Sequence, residues 1–208
     1  MESAGALEGV LYMDAVYNGH QITDSFTVRI TTSNPNSERI PALYEIGGRT
    51  EAIARKYNIA DLWTLHRNRD DTACVCVKQE EEQKFPTGSR LLVFVENLVV
   101  PYLYALSHYD RFRKWPWGEY SHGALGILEF YAENTQTQTV ESITEILVAL
   151  HRYTEWSKYR KQLRSPSAKR DCLCGSEKRF GKCHIGAWHG VVRFRNEIRR
   201  LNLLHLIG

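Results

Sequence analysis

Four metal-binding side chains fall within thirteen positions near the C-terminus: Cys172, Cys174, Cys183 and His184. Two ligands one residue apart, then eight residues, then two adjacent ligands can close one tetrahedral shell of three thiolates and an imidazole. Gly175 and Gly181 supply turns between them. Zinc is the metal this donor set and spacing point to. Because protein fills all four positions, none stays open for water or substrate, so the expected zinc is structural.

A second cluster lies earlier, in His66-Arg-Asn-Arg-Asp-Asp-Thr-Ala-Cys-Val-Cys76. A cysteine thiolate can attack an acyl group, and nearby imidazole, amide or backbone donors can stabilise the oxyanion. The run by itself favours a buried Cys-Val-Cys strand over such chemistry, since free cysteines often serve as small core hydrophobes. A hydrolase triad of Cys74, His66 and Asp70 is disfavoured, because residues this close along one turn seldom align in that way.

These side chains need a scaffold, and the pattern describes one. Gly9 to Tyr17 is β-prone, Asn18-Gly19 suits a tight hairpin, and Phe26 to Thr32 alternates apolar with polar residues. After the turn-prone Ser33–Ser37, a third strand fits Ala42 to Ile46. Thr50 is placed to cap a short helix through Tyr57. Helical spacing recurs from Ser89 to Arg113, with a kink expected at Pro101, then over Ala124–Ala132, Val140–Leu163 and Ala187–Leu206. The fold class is therefore α+β: an antiparallel β-meander with flanking helices, followed by a small zinc knuckle and a C-terminal helix. Arg164 to Arg170 has linker chemistry. It sets expected domains of 1–163 and 171–208, joined by a linker at 164–170.

The 208 residues are 43% hydrophobic and 25% charged with only 6 prolines, which excludes collagen-like and mainly disordered chains. Leu91 to Leu106 is interrupted by Glu96, Asn97 and Pro101, so no membrane span is expected. The N-terminus lacks a basic region followed by an apolar one, and a cytoplasmic setting with reduced thiols follows. The net charge of +3 is uneven: residues 151–208 carry 14 Lys/Arg against 4 Asp/Glu. Nucleic acid is disfavoured as the partner of this basic tail, because the apolar face of its last helix must first be covered by protein.

Two resemblances sharpen the reading. The run from Cys172 to His184 resembles the SEC-C motif, a zinc-binding element appended to many bacterial proteins. The order of a β-meander, Pro41-Ala-Leu-Tyr-Glu45, a His/Asn stretch leading to a cysteine, and then helices resembles the ubiquitin-conjugating enzyme fold. More closely, His66-x-Asn68-x-Asp70-x-x-x-Cys74, Leu98-Val-Val-Pro-Tyr-Leu-Tyr-Ala-Leu-Ser107 and Trp117-Gly-Glu-Tyr-Ser-His-Gly123 are similar to bacterial ubiquitin-conjugating-like proteins that carry a SEC-C motif, some in cyclic-oligonucleotide anti-phage (CBASS) operons.

The resemblance implies an acyl transferase. Cys74 falls on the thioester-forming cysteine, with Asp70 at the turn four residues before it, and His66 falls where eukaryotic members usually place the asparagine of their His-Pro-Asn motif. His66 or Asn68 would steady the oxyanion. Three departures stand out: Asp71 where a glycine usually follows the turn acid, Ala73 where a larger aliphatic is common, and Cys76 where glycine is frequent. The last leaves Cys76 as a rival nucleophile. His122 is a candidate to line the site, an ordinary structural histidine being the equal alternative. The implied partners are a CD-NTase nucleotide cyclase or a ubiquitin-like protein. No adenylation domain fits in 208 residues, so the activated cargo would come from a separate activating enzyme or from a partner that is itself activated. The alternative function is a non-catalytic adaptor using the same fold.

Overall fold

Asn18 and Gly19 hold φ of 47° and 78°. Two successive left-handed residues are what a two-residue turn needs to match the twist of flanking strands. That turn joins β1 (Ala6–Tyr17) to β2 (His20–Thr31) in a continuous antiparallel register from Tyr17 opposite His20 to Ala6 opposite Thr31. β3 (Ala42–Glu45) pairs with the far end of β2, giving a three-stranded antiparallel sheet in the order β1-β2-β3. A computed structural model describes residues 5–118, 120–134 and 137–208. Met1–Ala4, part of the N-terminus expected to lack a leader, and Glu119 of the Trp117–Gly123 run lie outside the described residues.

The helices are α1 (Arg49–Tyr57), α2 (Glu81–Lys84), α3 (Leu91–Phe112), α4 (Ala124–Glu133), α5 (Val140–His151), α6 (Trp156–Arg164), α7 (Phe180–Cys183) and α8 (Ile185–Arg200). The chain divides into two compact units, Met1–Gly118 and Glu119–Gly208. The division does not fall at the expected linker. Residues 164–170 are tied into the second unit: Leu163, Cys172 and Phe180 share one apolar core, and Gln162 Oε1 accepts from the Ser167 N–H at 3.0 Å.

In the first unit, Met13, Ile22, Phe26, Val28 and Ile30 line one face of the sheet at period two and pack against Phe94, Leu98, Leu103 and Leu106 of α3. Pro101 does not break this helix. A π-turn over Val95–Val99 precedes it, which accommodates the missing N–H and the bulk of the ring. Despite Glu96, Asn97 and Pro101, these 22 continuous helical residues are long enough to span a membrane, and their most apolar 18-residue stretch has mean hydropathy 1.4. Phe94, Val99, Leu103 and Leu106 are nevertheless fully buried against the unit's own core, the packing of a core helix.

Thr50 is not the cap of α1. Gly48 is, at φ 75°, while the Thr50 N–H and hydroxyl both donate to Glu45 Oε2 at 2.9 and 3.0 Å. A carboxylate from the preceding strand thus satisfies the orphan donors of the helix start. Asp110 of α3 ties both ends of α1, its carboxylate accepting from Lys56 at 2.6 Å and from Arg49 at 3.1 Å. Burial would raise the Asp110 carboxyl, but the hydrogen bonds and charge of Lys56 and Arg49 hold it below its ordinary value. The stabilisation is present above the unfolded-state value of about 3.9 and is lost as pH falls through the lower folded one. The difference in melting temperature between the native chain and Asp110→Asn is therefore expected to be full at neutral pH and to shrink as the pH falls below the unfolded-state value of about 3.9.

In the second unit, the expected helix over Val140–Leu163 is two helices. Thr139 and Ser142 form a capping box at the start of α5, and the chain turns at 152–155 before α6. The break lets Ile143, Leu147 and Leu150 on α5 and Tyr159 and Leu163 on α6 face the same core. The expected Ala187–Leu206 helix ends at Arg200. Asn202, at φ 58°, reverses the chain so that Leu203 and Ile207 are buried. The apolar face of α8 (Ala187, Val191, Phe194, Ile198) is covered within this unit.

Candidate metal centre and cysteine-bearing turn

Cys172, Cys174, Cys183 and His184 come together so that their ligand atoms all lie within 4.8 Å of one another. The backbone brings them there in two steps. Asp171 bridges Arg179, the Cys172 N–H donates to the Lys178 carbonyl at 2.7 Å, and the Phe180 N–H to the Arg170 carbonyl at 2.8 Å, forming a tight hairpin. Gly175, at φ 80°, turns its tip. α7 then carries Cys183, and His184 joins α7 to α8. Gly181 is required for close approach, since a Cβ there would stand 2.7 Å from the Ala168 Cβ.

Within the cluster, Cys172 Sγ is 3.1 Å from His184 Nδ1 and Cys174 Sγ is 3.7 Å from Cys183 Sγ. Ser176, which the sequence did not single out, places its Oγ 3.1 Å from Cys174 Sγ and 3.2 Å from Cys183 Sγ. Burial pushes the Cys172 thiol up to about 12. Burial acts on Cys174 in the same direction, but hydrogen bonds from the Ser176 hydroxyl and N–H outweigh it and bring that thiol down to about 7. Four Cys/His donors in one shell, two of them on a hairpin and two at a helix junction, could hold one metal ion.

The run from His66 to Cys76 is a turn closed on itself. His66, at φ 55°, ends a 3-10 turn over Leu62–Leu65. Arg67 then bridges Ala73, and the Cys74 N–H donates to the His66 carbonyl at 2.7 Å. Asn68 donates through Nδ2 to Thr72 Oγ1 at 2.9 Å. Asp70 Oδ1 accepts from the Thr72 hydroxyl at 2.7 Å, and its Oδ2 accepts from Asn36 at 2.8 Å. Burial would raise the Asp70 carboxyl, yet these hydrogen bonds hold it below its ordinary value. Arg67 pairs with Glu51 of α1 and with Asp71, at 3.0 Å for the latter. Asn68 and Asp70 are thus spent on holding the turn, and Asn36, Glu51, Arg67 and Thr72 complete it.

The two cysteines differ. Both are half-buried, and Cys76 packs against the first unit's core beside Ala73 and Val75. Burial, with the charges of Glu81 and Glu80 next to it, pushes the Cys76 thiol up to about 12. The His66 ring lies edge-on to Trp115 with centroids 4.9 Å apart. His122 is exposed and belongs to the second unit, whereas Cys74 belongs to the first.

No protein-family model, no curated protein and no solved structure matches the chain. What the geometry defines on its own is an α+β protein with a rigid cysteine-bearing turn in one unit and a possible three-cysteine, one-histidine metal centre in the other.

Proposed function

We propose that the chain is a ubiquitin-conjugating-like cysteine acyltransferase with Cys74 as its nucleophile. The observation that carries this reading is that the Cys76 thiol is held protonated by burial and by Glu81 and Glu80, whereas the Cys74 N–H closes the hydrogen-bonded turn that begins at His66. The Cys74 thiolate would attack an activated carboxyl carried by a separate activating enzyme. Its sulfur forms the new thioester as the donor's acyl bond breaks, and an acceptor amine then displaces Cys74 to form an amide. As the resemblance implies, His66 or Asn68 would steady the oxyanion, with Asp70 as a positioning residue. The resemblance supplies the biology of the proposal: a cytoplasmic protein acting on a CD-NTase cyclase, or carrying a ubiquitin-like protein, in anti-phage defence.

The metal in this reading is zinc. Ligands on a tetrahedron with metal–sulfur bonds of about 2.3 Å stand roughly 3.8 Å apart, close to the 3.7 Å between Cys174 and Cys183. Cys172, Cys174, Cys183 and His184 would hold it, and soft thiolates select zinc among abundant divalent ions. Bound there, the ion would supply a cross-link with no open coordination position, and therefore no part in the acyl chemistry.

A non-catalytic adaptor is the second reading, favoured by the engagement of Asn68 and Asp70 within the turn. One experiment separates the two. The chain is co-expressed with candidate activating and ubiquitin-like proteins and its intact mass is measured. Acyl transfer predicts a thiol-sensitive adduct on the native chain and on Cys76→Ser, and a hydroxylamine-labile ester or nothing on Cys74→Ser. His66→Ala should slow transfer by about 10²- to 10³-fold, the usual cost of one oxyanion donor. Iodoacetamide should modify Cys74 well before Cys76. Full activity of both serine variants leaves the adaptor.

A further inference from the structure

The three sulfurs of the C-terminal cluster are not equally placed. Cys172 is buried, Cys183 half-buried and Cys174 exposed. Cys172 lies within the hairpin's ladder, where its N–H donates to the Lys178 carbonyl, and its sulfur is 3.1 Å from His184 Nδ1. Cys174 opens the hairpin's tip, 174–179, all of which is exposed. Its sulfur meets that of Cys183, nine positions away at the end of α7, at 3.7 Å. A disulfide brings two sulfurs to about 2.0 Å, and rotation about χ1 at an exposed tip supplies an approach of that size. An accessible sulfur with a second sulfur against it is the arrangement in which oxidation at the first is resolved by the second.

We propose that Cys174 and Cys183 form an oxidation site, which hydrogen peroxide converts to a disulfide with release of the metal. A metal-bound sulfur is already a thiolate. The Cys174 thiolate attacks one peroxide oxygen: an S–O bond forms, the O–O bond breaks and hydroxide leaves, so the sulfur becomes a sulfenic acid. The Cys183 thiolate then attacks that sulfur, an S–S bond forms, the S–O bond breaks and a second hydroxide leaves. The sulfur pair has lost two electrons, and the peroxide has gained them as two hydroxides. Cys172 and His184 are left as two donors where a structural zinc takes four, so the ion departs. The release rests on the zinc reading, whereas the pairing rests on the positions of the two sulfurs, and both are independent of the acyl-transfer reading.

Zinc is counted in the purified full chain, which is then treated with millimolar hydrogen peroxide. A chromophoric chelator should read about one zinc released per chain, in step with the loss of two hydrogens in intact mass. Peptide mapping without reduction should join the peptide of Cys174 to that of Cys183, and dithiothreitol with added zinc should restore the thiols and the metal. Cys174→His keeps four zinc donors but lacks the exposed thiol, so it should release its zinc at least about tenfold more slowly. A chain purified without metal overturns the zinc reading and the release, and mapping after oxidation still decides the pair. Thiols that stay reduced, a bond through Cys172, or a sulfinic acid at Cys174 beside a free Cys183 thiol overturns the pair. Zinc retained after the bond has formed, or lost from Cys174→His as fast as from the native chain, overturns the release.

Discussion

Replacing Cys183 with serine is expected to take bound metal from about one ion per chain to near zero and to melt the segment from Ala168 to His184. The hairpin that carries Cys172 and Cys174 has few other anchors: its tip, 174–179, is exposed, and its apolar support is Phe180, edge-on to Trp188 at 6.0 Å, with Cys172 and Leu173 beside it. Structural zinc contributes about 10–16 kcal/mol of apparent binding energy in isolated zinc-finger peptides. Much of such energy would be available to order this segment. The rest of the unit has its own core of Leu128, Tyr131, Leu150, Val191 and Phe194, so α4, α5 and α8 should survive. Amide exchange is the direct measurement: the N–H groups of Cys172, Phe180 and Gly181 should lose protection in Cys183→Ser, while those of α8 and of the sheet keep theirs. Unchanged metal content would remove the centre, and metal loss with full protection would make it ornamental.

The metal cluster was legible because its four ligands lie within thirteen positions and hairpin geometry is local. The β1–β2 turn was legible for the same reason, Asn18-Gly19 being a direct statement about φ. What escaped the sequence is what depends on distant partners. Asn36 reaches Asp70 across 34 positions, and Glu45 takes over the capping that Thr50 was expected to do because the end of β3 abuts the start of α1. The division at 118/119 escaped as well, since Ser-Pro-Ser chemistry at 165–167 marks a turn equally well whether it joins domains or lies pinned inside one. Asp71 shows both sides. The resemblance puts glycine at this position, and φ is 66°, a backbone region that favours glycine. Aspartate holds this conformation with its carboxylate paired to Arg67 at 3.0 Å.

Gly190→Ala should be among the most damaging single methyls in the second unit. Helix pairs usually sit 8–10 Å apart, a distance set by the side chains at the contact. At Gly190 there is none, and the backbone of α4 occupies the space: a Cβ there would stand 1.9 Å from the Leu128 carbonyl oxygen and 2.6 Å from its carbon. No rotamer relieves this, because both clashing groups are main chain and belong to helices that cannot bend locally without losing hydrogen bonds. The helices must separate, and Leu128, Tyr131, Val191 and Phe194, all fully buried beside this contact, must separate with them. Overpacking a core costs about 1–3 kcal/mol when side chains can adjust, and the absence of any such adjustment puts this variant at or above the top of that range, enough to lower the second unit's melting temperature by roughly 10 °C or more. Gly9→Ala is the control. It adds the same methyl in β1 where nothing lies within 4 Å, and a strand interior favours alanine over glycine by about 0.5–1 kcal/mol. Calorimetry resolving the two units would show the Gly190 variant lowering one transition and the Gly9 variant raising the other. A Gly190→Ala protein with the native melting profile would mean that α4 and α8 are not packed backbone to backbone.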